Sequence, residues 1–125
     1  MRRHRWAGQP LEGRGVVVVG ATSGVGRATA EEFAAHGCRI MLAARDTGQL
    51  DVVAADCRRR GAAWVGWCPT DISSSESVDA LAAAAVRDLG HVDVWVNLAA
   101  TLVAGDVTDC PPEDLRRIVD VNVTG

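Results

Sequence analysis

Three glycines at a fixed spacing form the clearest candidate for a binding site in this sequence. Gly20, Gly24 and Gly26 stand between an unbroken run of valines and a segment with the apolar spacing of a helix. At such a junction the first glycine permits a sharp turn, the second permits close approach of a pyrophosphate, and the third permits tight packing of helix on strand. The unbonded N–H groups at the helix start also attract phosphate. The other predicted contact residues of this loop are Thr22, Ser23 and Val25.

A glycine-rich turn that binds nothing is the alternative interpretation of these residues. The strand-like run before the glycines and the helical pattern after them count against it, because that context gives each glycine a physical role. We therefore predict a phosphate-binding loop.

Polar residues also follow the third and fourth predicted strands. Asp71 stands in the segment TDI at residues 70–72, and Asn97 opens the segment NLAA at residues 97–100. Asn122 lies in the last predicted helix. Taken singly, Asp71 is equally typical of a solvated loop acid, and Asn122 of a surface amide.

Four short apolar runs predict the strands that carry these residues. Residues 16–19 are all valine and end at Gly20, which is typical of a strand buried on both faces. The other predicted strands are residues 38–44, 62–68 and 92–96.

Helical spacing predicts a helix after each strand. Residues 25–36 carry apolar side chains at this spacing and stop at Gly37, which is typical of a residue just beyond a helix end. A long alanine-rich helix is expected to begin with an N-cap among residues 73–75 and to end at Leu89. The other predicted helices are residues 50–60 and 113–123.

The alternation of strand and helix, repeated four times without a hairpin signal, predicts the fold. Such a pattern requires right-handed crossovers and a parallel sheet covered by helices on both faces. We predict a Rossmann-like, doubly wound α/β fold with strand order 3-2-1-4. Residues 1–14 are expected to be a basic lead-in, and residues 15–125 a single nucleotide-binding domain.

Composition excludes several other classes of protein. The 125 residues are 48% hydrophobic and 23% charged, as in ordinary soluble proteins. A net charge of −3 argues against nucleic acid as a partner. No apolar run approaches the roughly 20 residues that span a bilayer, and no secretory signal is evident, so we expect a cytoplasmic protein without membrane contact. No metal or disulfide role is expected for Cys38, Cys57, Cys68 and Cys110, which lack C-x-x-C spacing.

The ordered set of motifs resembles one family. Gly20-x-x-x-Gly24-x-Gly26 is similar to the T-G-x-x-x-G-x-G fingerprint of the short-chain dehydrogenase/reductase family, with Val19 in place of the family's Thr. The segments TDI, NLAA and DVNVTG resemble three further family motifs in the same order, at residues 70–72, 97–100 and 120–125. The match covers residues 11–125.

This resemblance implies an oxidoreductase that transfers hydride between a nicotinamide cofactor and a carbonyl or alcohol substrate. It implies that Asp71 accepts a hydrogen bond from the adenine amino group, and that Asn122 is the catalytic Asn. Leu98 and Ala100 replace a second Asn and a Gly of the family pattern beside the cofactor ribose. The other cofactor contacts implied by the resemblance are Ile72, Asn97 and Ala99.

The residues after the second strand predict the choice of cofactor. NAD-selecting relatives place a carboxylate at the strand end, where this sequence has Ala44, and the next residue is Arg45. A guanidinium suits the 2′-phosphate of NADP(H). Asp46 is the counter-argument, because a shift of one position in this comparison would favour NAD. We predict NADP(H), with NAD as the alternative.

The redox residues of the family are not in this sequence. The family's Ser and Tyr-x-x-x-Lys lie beyond the catalytic Asn, and these 125 residues contain no Tyr and no Lys. Strand 4 would also be a bare edge. We expect the incomplete cofactor-binding portion of a longer, homo-oligomeric oxidoreductase. The alternative is a non-catalytic nucleotide-binding or interaction module.

Overall fold

Four parallel strands form one sheet in the computed structural model, which describes residues 8–125. The strands are β1 (Gly15–Val19), β2 (Arg39–Ala44), β3 (Trp64–Pro69) and β4 (Val94–Asn97), in the order β3-β2-β1-β4. Every neighbouring pair is parallel. The predicted strand order 3-2-1-4 is therefore confirmed.

Helices connect the strands and cover both faces of the sheet. They are α1 (Gly24–Ala35), α2 (Thr47–Arg60), α3 (Ser75–Leu89) and α4 (Pro112–Val119). A short 3-10 turn, Val107–Asp109, precedes α4, and a π-helical turn, Asp120–Thr124, follows it. The predicted helix at residues 113–123 thus changes hydrogen-bond pattern near its middle.

The valines of β1 explain why this strand is central. All four valines are at most 2% exposed, and alternate ones face opposite sides of the sheet. Val16 and Val18 pack in the core beneath α1 and α2, whereas Val17 and Val19 pack in the core beneath α3. The predicted doubly wound Rossmann-like fold is confirmed by these two separate cores.

Side-chain caps define where three helices begin. Ser23, Asp46 and Ser74 each accept a hydrogen bond from the backbone N–H three residues later. The cap at Asp46 starts α2 at Thr47, so the predicted start at residue 50 was wrong by three residues. Gly61 ends the same helix with a φ of 109°.

Two predicted strands have different bounds in the structure. β3 extends one residue further than predicted, through Pro69, because β3 is an edge strand of the described sheet and its open side needs no N–H donor. β4 begins at Val94 rather than at residue 92. Residues 1–7 of the predicted lead-in lie outside the described part of the chain, and Leu11 packs against the core beneath α1.

Arg39 joins β2 to the carboxyl end of α3. Its Nη1 donates to the Leu89 carbonyl at 2.7 Å, and its Nη2 donates to the Asp88 carbonyl at 2.8 Å. These carbonyls belong to the last turn of the helix, where no intrahelical donor is available. The guanidinium therefore caps the carboxyl end of α3.

A buried carboxylate links β1 to the segment before β4. The Asp93 side chain is only 6% exposed and accepts from Gly15 N at 2.9 Å and from Arg14 Nη1 at 3.1 Å. Burial by itself would raise the pKa of Asp93. The hydrogen bonds from Gly15 and Arg14, with the positive charges of His91 and Arg14, outweigh burial and hold this pKa below its ordinary value.

Replacing this carboxylate should weaken the fold measurably. We expect Asp93→Asn to lower the free energy of unfolding by about 1–3 kcal/mol at pH 7, because the buried Gly15 N–H loses a charged acceptor. Since the folded-state pKa is depressed, the contribution of Asp93 is complete above its unfolded-state pKa and disappears as pH falls through the folded-state pKa. Urea unfolding at pH 7 and near pH 3 measures the free energy of unfolding of variant and parent. The difference between these two free energies should be smaller near pH 3 than at pH 7. Asp79→Asn, on the exposed face of α3, is the matched control and should change neither value.

Candidate functional site

A cleft of about 500 Å³ opens at the carboxyl ends of the strands. In doubly wound sheets this edge, where neighbouring connections leave in opposite directions, is where ligands bind. Residues that follow each of the four strands line the cleft, and two residues from the last helical segments, Arg117 and Val121, complete it. Of the predicted site residues, it brings together Gly20, Thr22, Ser23, Arg45, Asp71, Ile72 and Ala99.

Gly20 makes the turn that leads from β1 into the cleft. Its φ is +80°, and a side chain there would place a Cβ 2.6 Å from the Ala99 backbone nitrogen. The Gly20 N–H donates to the Ala43 carbonyl at 2.8 Å, and the Ser23 hydroxyl donates to the Gly20 carbonyl at 2.8 Å. The turn is therefore held from β2 on one side and from the start of α1 on the other.

Gly26 supports the turn from behind instead of lining the cleft. A Cβ on Gly26 would lie 1.9 Å from the Gly20 carbonyl oxygen, so only hydrogen fits between α1 and the turn. A Cβ on Gly24, by contrast, would have no atom of another part of the described chain within 4 Å. The side chain of Val25 is 68% exposed and lies away from the cleft, in a shallow groove with Leu11.

Backbone donors remain open at the start of α1. The Gly26 N–H donates to the Ser23 hydroxyl at 3.3 Å. The N–H groups of Gly24 and Val25 make no hydrogen bond to any residue within 8–125. These groups carry the positive end of the helix dipole and can bind an anion.

Asp71 lies at the other end of the cleft in a turn of its own making. Its Oδ1 accepts from the Ser73 hydroxyl at 2.7 Å and from the Ser73 N–H at 3.0 Å. These hydrogen bonds, with smaller contributions from the charges of Arg45 and Arg117, lower the pKa of Asp71 below its ordinary value. The carboxylate is therefore ionised at neutral pH and accepts hydrogen bonds.

Asn97 shapes the loop after β4 without lining the cleft. Its Oδ1 accepts from the Ala99 N–H at 3.3 Å, while the Leu98 N–H donates to the Val19 carbonyl at 2.9 Å. The side chains of Leu98 and Ala100, which depart from the family pattern, both line the cleft. The loop thus presents small and apolar groups beside Gly20.

Asn122 also lies outside the lining of the cleft and fastens one of its walls. Its Oδ1 accepts from the Thr101 N–H, and its Nδ2 donates to the Thr101 carbonyl, both at 2.8 Å. Thr101 itself lines the cleft. The amide of Asn122 therefore fixes the position of the β4 loop against the π-helical turn.

Sequence reasoning missed the contribution of the last helical segments to the cleft. Arg117 and Val121 are four residues apart, so they share one face of the helix, and that spacing was the available signal. Thr70 was also missed as a site residue. It is 5% exposed, and its hydroxyl donates to the Cys68 carbonyl at 3.0 Å, which holds the segment leading to Asp71.

Residues 8–125 contain neither a side-chain cluster suited to a metal ion nor a helix able to cross a membrane. No cluster of three or more His, Cys, Asp or Glu side chains in this part of the chain is arranged to hold a metal ion. None of the helices described is both long enough and apolar enough to cross a membrane.

Comparison with known proteins identifies the family. A family model described as short chain dehydrogenase matches residues 14–125. An uncharacterized oxidoreductase of Staphylococcus haemolyticus is 36% identical over 115 residues, which are 92% of this chain and 48% of that protein. A 3beta-hydroxysteroid dehydrogenase of Eggerthella lenta is 38% identical over 117 residues, covering 92% of this chain and 44% of that protein.

Solved structures agree with this assignment. An NAD+-bound xylitol dehydrogenase superposes with a TM-score of 0.87 and 31% identity over 93% of this chain and 45% of its own. A short-chain type dehydrogenase/reductase from Mycobacterium marinum superposes with a TM-score of 0.85 and 29% identity, over 91% of this chain and 46% of its own. The chain spans less than half the length of these relatives. With its sheet order, glycine turn and matched residues, it belongs to the short-chain dehydrogenase/reductase family.

Proposed function

We propose that this chain forms the NADP(H)-binding part of an oxidoreductase that acts on a carbonyl or alcohol substrate. The observation that carries the proposal is the cleft itself, in which the turn residues Gly20, Thr22 and Ser23, just before the open N–H groups of α1, share one lining with Arg45. A dinucleotide has anionic phosphates near its centre and, in NADP(H), a third phosphate on the adenosine ribose. The cleft offers suitable donors for both.

The start of α1 is proposed to hold the pyrophosphate. The N–H groups of Gly24 and Val25 are open, and the absence of a side chain on Gly24 leaves room for a phosphate to reach them. Thr22 and Ser23 border the same part of the cleft. Gly20 and Gly26 contribute by fixing the turn rather than by contact.

The adenosine end is proposed to lie between Asp71 and Ile72. An ionised Asp71 can accept a hydrogen bond from the adenine amino group, and Ile72 offers an apolar surface to the ring. Ala99, held by Asn97, is proposed to border the cofactor ribose, where the methyl group of Ala100 narrows the cleft. These assignments follow the family pattern residue by residue.

Arg45 is proposed to select NADP(H) over NAD(H). Ala44 brings no carboxylate to the end of β2, and Arg45 is exposed at the cleft. Asp46, the residue that would favour NAD(H), is the N-cap of α2, and its Oδ1 accepts a hydrogen bond from the Gln49 N–H at 3.0 Å. The related xylitol dehydrogenase is bound to NAD+, so the preference rests on these three residues alone.

The redox step needs groups beyond those of the cleft. The nicotinamide, when bound, supplies or receives the hydride. Asn122 is proposed as the family's catalytic Asn, and its observed contacts show how this chain positions it against Thr101. Homo-oligomeric assembly and a cytoplasmic location are part of the same proposal and rest on the resemblance and on composition.

Removing the guanidinium of Arg45 tests the cofactor assignment. We expect Arg45→Ala to raise the Kd for NADPH about tenfold, the usual size of one lost charged hydrogen bond, and to leave the Kd for NADH unchanged. Fluorescence titration of both cofactors measures this. Arg87→Ala, which removes an exposed arginine of α3 paired with Asp88, is the matched control. Equal affinity of the parent for NADPH and NADH, or no effect of Arg45→Ala, would refute the preference.

A further inference from the structure

Three arginines of the described chain form neither a hydrogen bond nor an ion pair within it. Arg45, Arg116 and Arg117 make no hydrogen bond or ion pair with any residue in 8–125. All other arginines in this range do make one, namely Arg14, Arg27, Arg39, Arg58, Arg59, Arg60 and Arg87. The unpartnered guanidinium groups are thus confined to one region of the molecule.

That region is a polar recess of about 310 Å³ that adjoins the cleft. All three arginines line the recess, but only Arg45 and Arg117 also line the cleft. They reach this border from different elements, since Arg45 follows β2 and Arg117 lies on α4. The two cations are therefore the ones placed to meet a single ligand in the cleft from two sides.

Acidic residues line the same recess and leave these arginines unpaired. Glu113 precedes Arg117 by four residues, and Asp120 follows Arg116 by four residues. Neither acidic residue forms an ion pair with these arginines. Asp71 is held by Ser73 through its Oδ1. Arg45 and Arg117 are both exposed, and although their charges act on Asp71, neither guanidinium group forms a hydrogen bond or an ion pair with it. Their donors can therefore meet a ligand.

We propose that Arg117 is a second specificity-determining residue for NADP(H), which binds the 2′-phosphate of the adenosine ribose together with Arg45. This inference rests on the proposed function, because it assumes that the adenosine end of the cofactor lies beside Asp71. A phosphate dianion has enough acceptor oxygens for two planar guanidinium groups, and each can form a bidentate contact. Binding from α4 as well as from β2 also ties the last helix of the chain to the cofactor.

Binding of small adenosine nucleotides tests the role of Arg117 directly. We expect Arg117→Gln to raise the Kd for NADPH and for adenosine 2′,5′-bisphosphate about tenfold, measured by titration calorimetry. The Kd for NADH and for 5′-AMP, which lack the 2′-phosphate, should not change. In Arg45→Ala/Arg117→Gln, the affinity for NADPH should fall to that for NADH.

Arg116→Gln is the matched control, because Arg116 is the adjacent residue of the same helix but does not line the cleft. An equal effect of Arg116→Gln and Arg117→Gln would overturn the inference in favour of a general charge effect. If Arg117→Gln lowered the affinity for NADPH and for NADH equally, the inference would be overturned in favour of stacking of Arg117 on the adenine. If Arg45→Ala weakens NADPH and Arg117→Gln does not, this inference fails and the proposed function stands. If the folded parent binds neither cofactor, both fail.

Discussion

The 125-residue polypeptide is expected to catalyse no oxidation of NADPH by aldehydes, ketones or quinones. Carbonyl reduction needs a proton donor beside the carbonyl, and in the family that this chain belongs to a Tyr assisted by a Lys takes this role. The sequence contains neither residue type. Asn122, proposed above as the family's catalytic Asn, has its side-chain amide hydrogen-bonded to the backbone of Thr101.

The assay must separate missing chemistry from missing fold. NADPH oxidation is followed by absorbance at high protein concentration over a broad substrate panel, with cofactor binding measured on the same sample. Binding without turnover is the expected outcome. Turnover above the blank, removed by heat denaturation of the sample, would show that other residues donate the proton.

Gly26→Ala is expected to damage both the fold and the cofactor site. The added methyl group would lie 1.9 Å from the Gly20 carbonyl oxygen, and that carbonyl is backbone, so it cannot rotate away alone. Moving the turn would strain the bond from the Gly20 N–H to the Ala43 carbonyl. We expect a loss of about 3 kcal/mol in the free energy of unfolding and, from a displacement of about 1 Å, a loss of NADPH affinity on the order of a hundredfold.

Gly24→Ala separates these two effects. A methyl group at Gly24 meets no atom within 4 Å, and alanine is a better helix former than glycine, so the free energy of unfolding should be unchanged or slightly higher. The affinity for NADPH should nevertheless fall, because the methyl group enters the space proposed for the pyrophosphate. Urea unfolding and cofactor titration on both variants measure the two quantities. Equal stability of Gly26→Ala and Gly24→Ala would contradict the packing role assigned to Gly26.

The sheet and its order were predictable because burial leaves a strong pattern in sequence. A strand such as β1 that is covered on both faces must be apolar throughout, and glycine at both ends of a βα unit marks its turns. Helix boundaries were less predictable. From the sequence alone, Asp46 was considered only as a residue that would favour NAD. The structure shows that Asp46 is the N-cap of α2, because its side chain accepts from the Gln49 N–H.

The part of the cleft lined by Arg117 and Val121 was hard to predict for a different reason. Local patterns predict that a helix forms and which face is apolar, but α4 has no buried residue, so its orientation depends on contacts with distant segments. The two hydrogen bonds between Asn122, in the turn after α4, and Thr101, 21 residues away, are contacts of this kind. The spacing of Arg117 and Val121 indicates that they share one helix face, but only the folded chain shows that this face lines the cleft.

The cap that Arg39 places on α3 has a consequence for the order of folding. The guanidinium and the carbonyls it binds are about 50 residues apart in the chain, and the contact from Gly15 to Asp93 spans 78. Long loops cost more entropy to close than short ones, and domains rich in such contacts fold slowly. We therefore expect β1, β2 and β3, with their connecting helices, to associate first. The last turn of α3 and then β4 are expected to pack onto these elements afterwards. The part of the cleft formed by the loop after β4 would therefore form last.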